Sequence, residues 1–184
     1  IGTWFMNIEI RDDILSDYDY RQIEGVFIGP RFPWYFMDNL NVSKENAINP
    51  NAKSFLGNYY FHNYLFYYQG ETVVAAEELN LFTSFCDQLG IPVEKLWRVK
   101  ANLYPRTQRK VHHLPHRDYD PGMGYRTALY YVNTNNGYTK FDGTSKTIKS
   151  KKNRVALFDG SNPHHSTTPT DVNYRLTINF DYRL

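Results

Sequence analysis

Arg175-Leu176-Thr177-Ile178-Asn179-Phe180 alternates polar and apolar residues along its whole length. Successive side chains of an extended chain point to opposite faces, so such a run forms a strand with one polar and one buried face. Arg98 to Tyr104, Tyr125 to Asn133 and Arg154 to Phe158 alternate in the same way. Turn clusters lie among them: Asp120-Pro121-Gly122-Met123-Gly124, Asn135-Asn136-Gly137, Asp142-Gly143, Asp159-Gly160 and Ser161-Asn162-Pro163. Short strands with turns every ~8–12 residues predict a sandwich or barrel of the jelly-roll type. Aromatic residues make up 17% of the chain, mostly Tyr and Phe, and suit the same pleated, half-buried surfaces.

At 184 residues the chain predicts a single domain, 1–184, with residues 1–97 as an N-terminal support region and 98–184 as the β core. Residues 1 to about 70 read as irregular and aromatic-rich. Within them, Phe32-Pro33-Trp34-Tyr35-Phe36 suits an edge strand, because Pro lacks the donor a central strand requires. Asn58 to Tyr68 is apolar without a clean period, so helix and strand stay open there. Val74, Leu79, Leu81, Phe82, Phe85 and Leu89 recur at roughly helical spacing before Gly90 and Pro92, which predicts a helix at about 74–89. A second short helical piece is expected to end near Leu96. The cationic run Lys146 to Arg154 reads as a solvated hairpin edge, with substrate binding as the alternative.

Lys plus Arg number 21 and Asp plus Glu 19, a net charge of only +2. A polyanionic partner such as nucleic acid is therefore not expected. No stretch approaches the ~20 apolar residues of a membrane span, and Ile1-Gly2-Thr3-Trp4 lacks the regions of a signal peptide, so the expectation is a soluble, cytoplasmic protein without a membrane partner. Cys86 is the single cysteine, which excludes an internal disulfide and any zinc or iron–sulfur site built on several thiolates. A metal would have to be held by His and carboxylate.

Five of the six histidines fall in two groups, His112, His113 and His116, then His164 and His165. His116-Arg117-Asp118 places two ligands on one side of an extended chain; by itself the triplet is also a common loop hydrogen-bond pair. If His164 lies on a facing strand, the three form a 2-His-1-carboxylate facial triad with one face of an Fe(II) ion left open. Arg175, Thr177 and Asn179 share the polar face of their strand. Inside a barrel an Arg there calls for an anionic ligand, since its planar fork grips a carboxylate through two hydrogen bonds; the other reading is a solvent-facing surface. His116-Arg117-Asp118 also spells a kinase triplet, but a Gly-rich phosphate loop is missing. His112-His113-x-x-His116 lacks the Glu of a helical zinc protease motif, and Pro115 prevents the helix.

From about Arg98 to the C-terminus the chain resembles the prolyl-4-hydroxylase-like branch of the Fe(II)/2-oxoglutarate dioxygenases, including small stand-alone bacterial and bacteriophage members. The likeness rests on Lys100-Ala101-Asn102-Leu103-Tyr104-Pro105, His116-Arg117-Asp118, Tyr130-Tyr131-Val132-Asn133, Asn136-Gly137-Tyr138-Thr139, and Asn162-Pro163-His164 followed eleven residues later by Arg175. The implied fold is mainly β, a double-stranded β-helix or distorted jelly roll, with one or two N-terminal helices packed outside. The implied function is hydroxylation of an unactivated carbon using Fe(II), 2-oxoglutarate and molecular oxygen, with ascorbate as a possible reductant. A peptidyl proline is the family's best-known substrate; a free amino acid or other small molecule, or a non-catalytic jelly-roll binding module, are the alternatives.

Carried over to this chain, the resemblance assigns His116, Asp118 and His164 to the iron and Arg175 to the far carboxylate of 2-oxoglutarate. Tyr131 would face inward with Leu129 and Thr127 and reach the same carboxylate, with Thr127 and Tyr104 beside the co-substrate; packing is the other role open to both tyrosines. The Pro-His junction and the spacing to Arg175 favour His164 over His165, which would point away. His112 and His113 are expected to support the site or lie at the surface. A peptide or protein substrate would meet a rim made of the loop Asp118 to Tyr125, with Tyr119, Tyr125 and Arg126, and of the N-terminal aromatic region.

Overall fold

The computed structural model describes residues 7–37, 59–67 and 80–183. Ten strands are described: β1 (Glu9–Asp12), β2 (Tyr35–Met37), β3 (Tyr60–Tyr67), β4 (Leu96–Pro105), β5 (Tyr125–Tyr131), β6 (Tyr138–Phe141), β7 (Thr147–Lys149), β8 (Arg154–Asp159), β9 (His164–Ser166) and β10 (Tyr174–Arg183). They form a seven-stranded sheet in the order β1-β8-β5-β10-β4-β3-β2 and a three-stranded sheet in the order β7-β6-β9. This is the mainly β, distorted jelly-roll architecture expected from the alternating runs. Among the described residues no helix is long and apolar enough to cross a membrane.

Each long strand divides its residues between two environments. On β10, Leu176, Ile178 and Phe180 enter the main apolar core together with Val99 and Ala101 of β4 and Ala128 and Tyr130 of β5. Two helices, α1 (Asp17–Ile28) and α2 (Thr83–Leu89), cover this face through Ile23, Phe27, Phe85 and Cys86. Phe85 stacks on Phe180 with ring centroids 4.3 Å apart and meets Tyr130 edge-on at 5.0 Å. The opposite face carries Arg175, Thr177, Asn179 and Asp181, which pair in register with Tyr104, Asn102, Lys100 and Arg98 of β4.

The described residues 7–37 and 59–67 hold more regular structure than the sequence suggested. Ser16 caps α1 by accepting the Asp19 amide, Asp17 and Asp19 occupy the first turn, and Tyr20, Ile23 and Phe27 form its buried stripe. Irregular structure was the expectation there, because a short stripe is hard to distinguish among so many aromatics. The ambiguous segment is strand β3, and β2 is the edge strand that Pro33 implied. Of the helix expected at 74–89, residues 74–79 lie outside the described residues, and α2 is its C-terminal part, closed by Gly90 at φ 64°. The short helical piece is a 3₁₀ turn, Val93–Lys95.

Beyond the β1–β8 ladder, side-chain contacts tie the segment around β1 to the β core. In the cationic run, Arg154 and Lys151 both pair with Asp12, so part of that run is a clamp on β1. Asn153, in a left-handed conformation at φ 58°, bonds both the amide and the carbonyl of Leu15.

Phe85→Ala should cost about 3–5 kcal/mol, because it opens a cavity between the helices and β10. Tyr18→Ala, at a position 72% exposed, should change stability by less than about 0.5 kcal/mol. Urea unfolding of the two variants checks the contrast.

Candidate active site

His116 and His164 are joined by a reciprocal backbone bridge, with each amide donating to the other's carbonyl at 2.9 Å. Asp118 is held next door by its own amide, which donates to the Gly160 carbonyl at 3.0 Å. Gly160 is needed at that crossing, since a Cβ there would meet the Tyr119 ring at 2.8 Å. One ligand atom from each of His116, Asp118 and His164 lies within 4.8 Å of the others, although 46 residues separate Asp118 from His164.

The protonation pattern suits a cation. His164 Nδ1 lies 2.9 Å from the Asn162 carbonyl and His116 Nδ1 lies 3.4 Å from that of Leu114. A carbonyl only accepts, so Nδ1 carries a proton in both rings and Nε2 is the nitrogen left to meet a metal, as in metal-binding imidazoles. Burial, helped by neighbouring His164, pulls His116 down to about 3, so this ring is neutral. Burial works to raise Asp118, but the neighbouring His164 and the Arg98 guanidinium override it and hold the carboxyl below its ordinary range.

Arg98 organises the carboxylates. Its Nε donates to Asp181 at 2.6 Å and its Nη2 to Asp118 at 3.1 Å. Thr127 gives its proton to Asp181 at 2.7 Å and lies 3.3 Å from Asp118. Thr127, expected beside the co-substrate, thus sits against the Asp118 and Asp181 carboxylates.

At the other end of the cavity Arg175 is 1% exposed. Its Nε donates to Ser150 at 2.8 Å and its Nη2 to Thr139 at 3.0 Å, while Nη1 is buried without a hydrogen-bond partner. The guanidinium carbon lies 5.2 Å from the centre of the Tyr104 ring and 5.7 Å from that of Tyr131. Gly137 makes room for it, because a Cβ there would meet Arg175 Cδ at 2.7 Å. A buried cation with one donor unused and, among the described residues, no carboxylate within ion-pair distance suits an anionic partner. Arg175 and the three candidate ligands line one cavity of about 230 Å³. The donor set fits iron and the orphaned guanidinium fits a carboxylate.

The remaining expected residues divide. Tyr104 packs under Arg175 and stacks on Tyr60 and His113. Tyr131 also faces Arg175, but its hydroxyl donates to Thr139 at 2.9 Å. His165 points to the other side of β9, where its Nδ1 meets Asp142 at 2.9 Å and its Nε2 meets His112. His113 is buried against Tyr104 and bonds Ser166, whereas His112 is exposed. Tyr119 and Tyr125 stack on each other at 4.3 Å, and Tyr125 is buried, so this pair braces the loop instead of forming an exposed rim. Tyr35 and Phe36 of β2 do stand exposed.

Sequence reasoning missed Arg98, Lys100 and Asp181. Their signal was strand period: Asp181 continues the face of Arg175, Thr177 and Asn179, and Arg98 and Lys100 share a face of β4 with Asn102 and Tyr104.

No protein-family model and no curated protein matches the chain. Solved structures do. A prolyl-4-hydroxylase from Pseudomonas putida aligns over 98% of this chain and 94% of its own, with TM-score 0.60 and 13% identity. A 2-oxoglutarate, Fe(II) oxygenase family protein from Burkholderia pseudomallei aligns over 96% and 86%, with TM-score 0.62 and 12% identity. A prolyl hydroxylase from Trichoplax adhaerens, in complex with a hypoxia-inducible-factor degradation-domain peptide, aligns over 96% and 84%, with TM-score 0.57 and 15% identity. This chain therefore has the fold of the prolyl-4-hydroxylase-like 2-oxoglutarate, Fe(II) oxygenases.

Proposed function

We propose that this protein is a 2-oxoglutarate-dependent hydroxylase, with Fe(II) held by His116, Asp118 and His164 and the far carboxylate of 2-oxoglutarate held by Arg175. The observation that carries this reading is the placement of the triad and the orphaned guanidinium in one cavity. When bound, the iron couples decarboxylation of 2-oxoglutarate by oxygen to removal of hydrogen from an unactivated carbon.

The chain's own residues do the rest. The two imidazoles present Nε2 and Asp118 presents an ionised oxygen, and these three groups would hold the iron as a 2-His-1-carboxylate set. Arg98 and Thr127 hold the Asp118 and Asp181 pair in place. Arg175 orients the co-substrate through its unused Nη1 donor, and the Tyr104 and Tyr131 rings shield that contact from water, which strengthens it.

For the substrate we infer a prolyl residue in a peptide. The resemblance supports this, and so does the Trichoplax neighbour, which is a prolyl hydroxylase bound to a peptide. The test is succinate release with Fe(II), 2-oxoglutarate and ascorbate, using proline-rich peptides, free proline and methylated single-stranded DNA, with mass spectrometry for a gain of one oxygen. Peptide-coupled turnover supports the reading, turnover with free proline alone moves it to a small-molecule hydroxylase, and turnover with DNA alone overturns it.

Metal affinity, read by equilibrium dialysis against Fe(II) without oxygen, should collapse in Asp118→Ala and His164→Ala and stay unchanged in His165→Ala. Loss in His165→Ala with retention in His164→Ala would exchange the two histidines' roles. Arg175→Lys keeps the charge but loses the fork, and should weaken 2-oxoglutarate by about 1.5–3 kcal/mol, or roughly tenfold to a hundredfold, with metal affinity unchanged. Normal co-substrate affinity in that variant would place the clamp elsewhere.

A further inference from the structure

One cation of the cavity is left without a task once the metal ligands and Arg175 have theirs. Lys100 stands on β4 between Arg98 and Asn102, on the same face, and lines the cavity with them. Its ammonium donates to the Tyr60 hydroxyl at 3.0 Å and lies 5.1 Å and 5.3 Å from the centres of the Tyr60 and Tyr64 rings. Phenol groups offer an acceptor and a π-face but no full negative charge. Among the described residues no carboxylate lies within ion-pair distance of Lys100. Asp118 and Asp181 are both engaged by Arg98. Burial, and then the Arg98 charge, pull the Lys100 amine down to about 8.

The charge balance of the cavity points the same way. Among the described residues, Arg98, Lys100, Arg117 and Arg175 line it, against the single carboxylate of Asp118. Arg98 is neutralised within the chain, and Arg175 has the co-substrate. Arg117 turns to the Ser161 carbonyl. Lys100 therefore remains as a largely desolvated cation lining the same cavity as His116, Asp118 and His164, where an anion would compensate the cost of its burial. Beside it Asn102 donates to Asn179 at 3.0 Å, which leaves the Asn179 amide group to donate to a second polar atom.

We propose, on the reading of this cavity as an oxygenase site, that Lys100 is a specificity-determining residue that binds a carboxylate of the primary substrate. The acid group then lies close to the carbon that is hydroxylated, with the Tyr60 and Tyr64 rings walling the substrate's aliphatic part. Two sources supply that chemistry: the free carboxylate of an amino or imino acid, and an acidic residue flanking the target in a peptide. The cavity is smaller than the ~300–1,000 Å³ of sites that take a whole drug-sized ligand, so it holds the co-substrate and the reacting end of a second molecule in either case.

The test is isothermal calorimetry on protein loaded with Mn(II) and 2-oxoglutarate, with two matched pairs of probes. One pair is L-proline and L-prolinamide; the other is a doubly capped Gly-Pro-Glu-Gly peptide and its Gly-Pro-Gln-Gly counterpart. The acid member of one pair should bind at least tenfold more tightly than its neutral partner, and that pair identifies the source. Lys100→Met should abolish the preference and Lys100→Arg should retain it, with 2-oxoglutarate affinity unchanged in both; Lys100→Gln serves if Lys100→Met does not fold. Equal binding or no binding in both pairs, a preference that survives neutralisation of Lys100, or loss of 2-oxoglutarate alone would overturn the assignment. If the wild type fails to bind 2-oxoglutarate, the oxygenase reading falls by itself. The same acid–neutral comparison on metal-free protein then decides the role of Lys100: a preference lost in the variant upholds it, and one that persists overturns it.

Discussion

A largely buried guanidinium holds the His116, Asp118 and His164 end of the cavity together. Arg98 bridges Asp118 and Asp181, whose side chains are 6% and 0% exposed. Charges removed from water to this extent persist only when paired and hydrogen-bonded, and breaking such a pair leaves an uncompensated charge behind. The geometry is therefore restrictive: Asp181 fixes Arg98, Arg98 fixes Asp118, and Thr127 gives its proton to the second oxygen of Asp181. Asp118 keeps an ionised carboxylate in a place where burial alone would favour the neutral acid.

The same pairing explains why core and site share their strands. On β10 and β4, odd and even positions serve opposite purposes: aromatic and aliphatic packing against the helices on one face, a polar cavity wall on the other. A one-residue slip of register would exchange the two faces completely. The Phe85, Phe180 and Tyr130 packing behind the sheet thus fixes the register that sets Arg175, Asn179 and Lys100 on the cavity face. The small sheet contributes Thr139, His164 and Ser166 from the facing side, and so closes the cavity.

Much of this was legible because it is local. Strand period placed Arg175 and Thr177 on one face, and turn residues marked where strands end. Residue type made His116-Arg117-Asp118 and His164 candidates, the family resemblance selected them, and the backbone bridge between His116 and His164 supplies the convergence that the sequence only suggested. What could not be read depends on partners far away in the chain. Arg98 meets Asp181 across 83 positions, and the Tyr131 hydroxyl turns to Thr139, a residue of the other sheet. Helix α1 was overlooked for a different reason: Tyr20, Ile23 and Phe27 form a short stripe inside a segment where aromatics occur on every side.

The central assignment is that the His116, Asp118 and His164 cluster and Arg175 form a joint site for Fe(II) and 2-oxoglutarate. The most direct measurement is an anaerobic titration of the protein with Fe(II) and then 2-oxoglutarate, followed by visible absorption. A metal-to-ligand charge-transfer band that saturates at one equivalent of each, is absent without the metal and is lost in Asp118→Ala is the expected result. A protein that binds neither component, or that develops the same band after Asp118 is replaced, would contradict the assignment.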